Sequence, residues 1–302
     1  MLKVKLKDIT FDTPILVASG TYGYGNEVEG LADVSKLGGI ITKSVTRLPR
    51  EGNPPPRITE TAAGMLNSIG LANLGVEAYC KEKIPFLNEL DTKIIINVAG
   101  TAMSDYIETF EMLENHGGNH VGYEINISCP NVKEGGMEFG VSPKMTEQLT
   151  KELRSRTDRI LIMKLSPNVT RIQDIGLAAE AGGADAVSAI NTVVGMGIDV
   201  KKRKVKLHTI YGGLSGPAIK PVALACVHKL NKVLSIPIIG LGGISTAEDV
   251  LEFILAGADL VQVGTINYKH PSRGMTICDD LIAFCKENNM SNILELQGQL
   301  DK

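Results

Sequence analysis

Asn126-Ile127-Ser128-Cys129-Pro130-Asn131 places two side-chain amides, a hydroxyl and a thiol within one short stretch. Val121-Gly122-Tyr123-Glu124-Ile125 before it alternates like a strand, and the glycine-rich Lys133-Glu134-Gly135-Gly136 comes soon after. A strand that runs out into polar groups, a thiol and a proline has stopped serving the core. The chemistry on offer is a base beside hydrogen-bonding groups. A thiol has a reference pKa of about 8.5, close enough to neutrality to take a proton without a strong partner base. Pro130 and the following glycines suggest a loop able to cover such a site and exclude water.

Such a stretch needs a scaffold, and the rest of the chain supplies the pattern of one. Eight apolar runs stand out, at 14–19, 39–44, 93–99, 123–128, 160–165, 186–192, 237–241 and 260–264, and most end in or beside Gly, Ser, Thr, Asn or Lys. Short Ile/Val-rich runs without strict alternation fit strands buried on both faces. Helical patterns lie between many of them. Ser245-Thr246-Ala247-Glu248 has capping-box spacing, and Ala247, Val250, Leu251, Ile254 and Leu255 continue as one stripe that Gly257 stops. Ser142-Pro143 opens another helix, and Gly182-Gly183 closes the one after Thr170.

Eight strand–helix units in 302 residues predict a (β/α)₈ barrel, read as one domain over 1–302. An open doubly wound sheet would show G-x-G-x-x-G after its first strand, and Gly20-Thr21-Tyr22-Gly23-Tyr24-Gly25 misses that spacing. Residues 2–11 read as a hairpin closing the barrel floor. The connections 47–91 and 193–217 are too long for plain helices and read as lids or substrate loops; the basic run Lys201-Lys202-Arg203-Lys204 reads as solvated surface.

Bulk properties remove other classes. With 43% hydrophobic and 22% charged residues and a net charge of −3, nothing favours nucleic acid as a partner. No apolar run is long enough to span a membrane, and the start lacks a signal-peptide core. The five cysteines, Cys80, Cys129, Cys226, Cys278 and Cys285, form no C-x-x-C pair and read as reduced cytoplasmic thiols. His116, His120, His208, His228 and His270 show no ligand spacing, so no metal site is expected.

The C-terminal strand ends of such a barrel face one site. They supply Ser19, Lys43-Ser44, Asn97, Asn126 to Cys129, Lys164, Asn191-Thr192, Gly242-Gly243 and Gly264-Thr265. Lys43 and Lys164 interrupt strongly apolar strands, so each must pair with an anion or enter a polar cavity. Glycine turns after the last two strands suit a phosphate. Asparagine amides suit the imide-like edges of a flat heterocycle, and a lysine nearby suits negative charge developing on it. Flavin mononucleotide fits both ends.

The chain resembles the class 1 dihydroorotate dehydrogenases along essentially its whole length. The resemblance rests on residues 126–131, Gly52-Asn53-Pro54-Pro55-Pro56-Arg57, Asn67-Ser68-Ile69-Gly70-Leu71, Asn191-Thr192 and Gly213-Leu214-Ser215-Gly216-Pro217. It implies oxidation of dihydroorotate to orotate in pyrimidine biosynthesis, with Cys129 as general base and FMN as hydride acceptor. It implies a substrate clamp of Lys43, Asn67, Ser68, Ile69, Gly70, Leu71, Asn126, Asn191 and Thr192. It implies an FMN shell of Ser19, Lys43, Ser44, Asn97, Asn126, Lys164, Ile190, Gly216, Gly242, Gly243, Gly264 and Thr265. Residues 18–25, 60–67 and 195–199 look like the NAD-linked type. That type borrows FAD and a [2Fe–2S] cluster from a second subunit, in a heterotetramer of two plus two around a homodimer. The alternatives are the fumarate-linked homodimer, a Schiff-base aldolase or isomerase using Lys164, and a non-catalytic flavin module.

Overall fold

The computed structural model describes residues 1–127 and 139–301. Strands β1 (Val4–Leu6) and β2 (Ile9–Phe11) form the expected hairpin. Then come β3 (Ile15–Val17), β4 (Gly39–Ile41), β5 (Ile58–Thr61), β6 (Gly64–Asn67), α1 (Val76–Glu82) and α2 (Ile84–Asn88). They are followed by β7 (Lys93–Val98), α3 (Met103–His116), β8 (Gly122–Asn126), α4 (Pro143–Arg154), β9 (Ile160–Leu165), α5 (Ile172–Ala181) and β10 (Ala186–Ala189). The last third holds β11 (Val193–Met196), β12 (Ile198–Asp199), β13 (Lys204–Val205), β14 (Tyr211–Ser215), α6 (Lys220–Asn231), β15 (Ile238–Leu241), α7 (Ala247–Leu255), β16 (Leu260–Val263) and α8 (Arg273–Glu287).

β3, β4, β7, β8, β9, β10, β15 and β16 close in that order into a parallel barrel. Each of the eight falls within or against one of the apolar runs. Every barrel strand except β8 places a side chain in one apolar layer: Leu16, Ile41, Ile95, Ile160 with Ile162, Ala186, Ile239 and Leu260. β8 has Gly122 at that level, where a Cβ would stand 2.5 Å from the Ile160 carbonyl oxygen. The same cluster takes in Val4, Leu6 and Phe11 of the hairpin, so the hairpin does plug the barrel floor. Burying each of these is worth roughly 1.5–3 kcal/mol, enough to hold a two-stranded hairpin that would be marginal alone.

Two expectations need adjusting. The β3–β4 crossover has no α-helix, only 3₁₀ turns at Asn26–Val28 and Val34–Lys36. Gly20, Gly23, Gly25 and Gly30 there all have positive φ, which a right-handed helix cannot accommodate. The capping box of α7 sits one residue further on: Thr246 Oγ1 caps the Asp249 N–H, and the Asp249 carboxylate accepts from Thr246 N–H. Asp249 is also held by Lys220, which Glu248 is not. Ser142 caps α4 as expected, and Gly183 (φ +92°) and Gly257 (φ +109°) follow the ends of α5 and α7.

The two long connections are not separate lids. β5 and β6 from one and β11 and β14 from the other build a single antiparallel sheet, in the order β11-β14-β6-β5. It stands on the C-terminal side of the barrel, since β11 follows the end of β10 directly. The Lys201 to Lys204 run lies at the exposed turn and second strand of the small β12–β13 hairpin, as expected of a surface loop. Among the described residues, no helix is long and apolar enough to cross a membrane.

Candidate active site

Two residues beyond the apolar layer, the inner face turns polar. Strand periodicity puts Asn97, Glu124, Lys164, Ser188 and Gln262 one level above Ile95, Gly122, Ile162, Ala186 and Leu260. Glu124 is fully buried at the centre of this layer. Its Oε1 accepts from Lys164 Nζ at 3.1 Å and Asn97 Nδ2 at 2.7 Å. Its Oε2 accepts from Ser188 Oγ at 2.8 Å and Gln262 Nε2 at 2.6 Å. Four donors saturate a carboxylate. Lys164 therefore meets the expectation of an anionic partner, and that partner is a residue the motifs did not single out.

The neighbouring strand ends tie into this layer. Ser44 Oγ donates to Asn97 Oδ1 at 2.6 Å, and Ser19 Oγ donates to the Thr42 carbonyl at 2.8 Å. Between them, Lys43 is half-buried, its N–H bonded to the Gly23 carbonyl. Its ammonium has no carboxylate within ion-pair distance among the described residues. Asn191 Nδ2 donates to Asn126 Oδ1 at 3.4 Å, which joins the ends of β8 and β10. Asn126 also accepts at its carbonyl from Tyr106 Oη, 2.8 Å away. Ile190 follows a cis peptide bond from Ala189, and its N–H reaches the Leu241 carbonyl.

The turn at 67–71 approaches through the four-stranded sheet. Asn67 Nδ2 donates to the Gly213 carbonyl at 3.3 Å, and a Cβ on Gly213 would overlap the Thr192 side chain. Asn67 and Thr192 thus face the same piece of backbone. Asn53 braces the turn, donating from its side chain to the Ser68 carbonyl and from its N–H to the Ile69 carbonyl. Leu71 stands at φ +56°. Ser68 Oγ is buried with no hydrogen-bond partner among the described residues. Asn73, not counted among the site residues, links the Leu71 carbonyl to Thr46 and so ties this turn to the segment after β4 that carries Lys43 and Ser44.

The glycine turns meet across the mouth. A Cβ on Gly243 (φ +79°) would lie 2.9 Å from the Gly216 carbonyl oxygen, and Gly242 stands at φ +135°. Thr265 Oγ1 donates to Ser215 Oγ at 2.8 Å, so Gly264-Thr265 lies beside Ser215-Gly216. Behind them Lys220 Nζ is 2.6 Å from Asp249 Oδ1 and 2.9 Å from Glu252 Oε2. Burial pushes the Asp249 carboxyl up, but hydrogen bonds from Lys220 and from the Ser245 and Thr246 N–H groups outweigh it and bring it below the usual range. Asp249 thereby holds Ser245 and Thr246 in place. Cys129, with Ser128, Pro130 and Asn131, lies outside the described residues. Among the described residues no His/Cys/Asp/Glu group could hold a metal ion.

The profile of the dihydroorotate dehydrogenase family matches residues 1–285. Relatives called dihydroorotate dehydrogenase B (NAD(+)), catalytic subunit, match nearly end to end. That of Geotalea uraniireducens is 46% identical over 99% of this chain and 98% of its own length. Those of Alkaliphilus oremlandii (47%, 98% of each chain) and Bacteroides thetaiotaomicron (43%, 99% of each chain) are similar. The chain belongs to the dihydroorotate dehydrogenase family.

Enzymes of this family are flavin-dependent, and the mouth fits a flavin in donor chemistry. Its polar groups are backbone amides in glycine turns, hydroxyls, carboxamides and the Lys43 ammonium. The two acidic groups closest to the turns, Asp249 and Glu252, are paired with Lys220, and Glu124 is sealed by four donors. No bare carboxylate among them opposes a phosphate or a ring that gains negative charge.

Proposed function

We infer that this chain oxidises (S)-dihydroorotate to orotate in de novo pyrimidine biosynthesis, and that it passes the electrons to NAD⁺ through a partner subunit. The observation that carries the reading is the barrel mouth itself, where Lys164, Asn97 and Ser44 meet around Glu124 beside the Asn126–Asn191 pair. The near full-length likeness to NAD-linked catalytic subunits supports it over the fumarate-linked homodimer. Lys164 donates to Glu124, whereas a Schiff-base lysine must offer its amine to a carbonyl, so the aldolase reading has no support here.

The whole chain acts as one flavin barrel, and the flavin is FMN. Bound FMN supplies the two-electron acceptor for the hydride leaving carbon 6. Cys129, as thiolate, takes the proton from carbon 5, so that the carbon 5–carbon 6 double bond forms with one proton and one hydride removed. Lys43 pairs with the substrate carboxylate. Asn67, Ser68, Ile69, Gly70, Leu71, Asn126, Asn191 and Thr192 hold the ring edges. Gly216, Gly242, Gly243, Gly264 and Thr265 hold the phosphate; Ser19, Lys43, Ser44, Asn97, Asn126, Lys164 and Ile190 hold the rest of the cofactor. The partner carries FAD and a [2Fe–2S] cluster, two of each chain assemble around a homodimer, and the complex is cytoplasmic.

The purified chain is expected to be yellow and to bleach anaerobically with dihydroorotate. A colourless preparation that also refuses added FMN sinks the reading. NAD⁺ reduction should require a co-purifying flavin/iron–sulfur subunit. Efficient fumarate turnover by the chain alone would instead establish the homodimeric type.

A further inference from the structure

We propose that Glu124 is a positioning residue for the flavin site, fixing the Lys164 ammonium and the Asn97 amide and damping the charge that Lys164 presents to the ring. This rests on the reading of Lys164 and Asn97 as flavin contacts.

The geometry is that of one carboxylate gathering five strands. Glu124 on β8 takes Asn97 from β7, Lys164 from β9, Ser188 from β10 and Gln262 from β16. A lysine ammonium sits on a flexible four-carbon stem and has many rotamers in a polar mouth. The Lys164 side chain is only 8% exposed, and its contact with Glu124 Oε1 selects one of them. Asn97 is fixed in the same way. Its Oδ1 accepts from Ser44 and its Nδ2 donates to Glu124, a pattern that defines which way the amide faces. Ser188 and Gln262 touch Oε2 instead and hold the carboxylate from the side opposite Lys164.

The charge consequence has a sign. A lysine ammonium favours the anionic reduced ring, and a carboxylate 3.1 Å from it subtracts from that field. Glu124→Gln keeps the shape and removes the subtraction, so the bound flavin should become easier to reduce. Ser188→Ala does the reverse: it strips a donor from Oε2, leaves the carboxylate less neutralised, and should make the flavin harder to reduce.

The test uses the FMN-loaded protein, its midpoint potential against reference dyes, and titration with sulfite, which adds to oxidised flavin as an anion. Glu124→Gln should shift the potential positive and tighten sulfite binding by about tenfold. Ser188→Ala should shift both readings the opposite way. Unchanged values in both variants, or shifts of the same sign, overturn the proposal while leaving the flavin reading intact. A wild-type chain that takes up no FMN overturns the flavin reading instead. If Glu124→Gln does not fold or loses FMN, Ser188→Ala decides alone: a negative shift supports the proposal, and no shift or a positive one overturns it.

Discussion

Asn73 grips Thr46 with both ends of its amide: Nδ2 donates to Thr46 Oγ1 at 2.7 Å, and Oδ1 accepts from the Thr46 N–H at 3.2 Å. The same side chain reaches the Leu71 carbonyl and the Gly75 N–H. Replacing Asn73 with Ala strands buried donors on Thr46 and Gly75, each worth about 1–3 kcal/mol when left unpaired. The expected loss is roughly 2–4 kcal/mol in denaturant unfolding. The 67–71 turn loosens with it, so KM for dihydroorotate should rise more than kcat falls.

Gly243→Ala should weaken FMN binding. The residue stands at φ +79°, where a side chain costs roughly 1–2 kcal/mol, and the new Cβ would meet both the Gly216 carbonyl and Lys220 Cβ at 2.9 Å. A loss of about tenfold or more in affinity follows. Fluorescence titration of the apoprotein with FMN reads it directly, and an unchanged Kd would remove Gly243 from the phosphate site.

His120 gives the fold a pH signature. Burial, helped by the Arg159 charge, pushes its pKa down to about 3. Its Nε2 lies 2.7 Å from Tyr123 Oη, which donates onward to Glu114. The unfolded chain protonates His120 below about 6.5 while the folded chain does not. Between about pH 6.5 and 3 the unfolded state therefore binds the extra proton, and stability falls as pH falls. The slope from this one group is at most about 1.4 kcal/mol per pH unit. Unfolding curves at pH 7, 6 and 5 should show a component of this slope that disappears in His120→Phe.

Cys129→Ala should slow flavin reduction by dihydroorotate by about 10²–10⁴-fold at neutral pH, the usual contribution of a positioned base. FMN should stay bound. Anaerobic stopped-flow absorbance separates the two effects, and near-normal reduction would take the base role away from Cys129.

The barrel was legible because parallel strands covered on both faces must be apolar throughout, and eight such runs stand out even without an alignment. Their ends were read too long. Ser19, Lys43-Ser44 and Asn191-Thr192 look like strand continuations but lie past the ends of β3, β4 and β10. Glu124 was missed although it interrupts Tyr123-Glu124-Ile125 as Lys164 interrupts its own strand. Applied to acids as well as lysines, the same criterion finds it. Ser188 and Gln262 carry no such signal, being small or neutral. The four-stranded sheet was not legible at all. Its pairing of Asn67 with Gly213 joins residues 146 apart, through strands rich in glycine, and nothing local announces a partner so distant.

The plugged floor decides how protons and ligands travel. Beneath Glu124 lies a closed apolar layer, and beneath that Val4, Leu6 and Phe11 of the hairpin. Those side chains, all apolar, have no hydroxyl, carboxylate or imidazole of their own to relay a proton downward. A proton taken from the substrate therefore leaves by the face through which the substrate entered. The barrel is a one-ended vessel, and dihydroorotate and the proton it gives up share one opening.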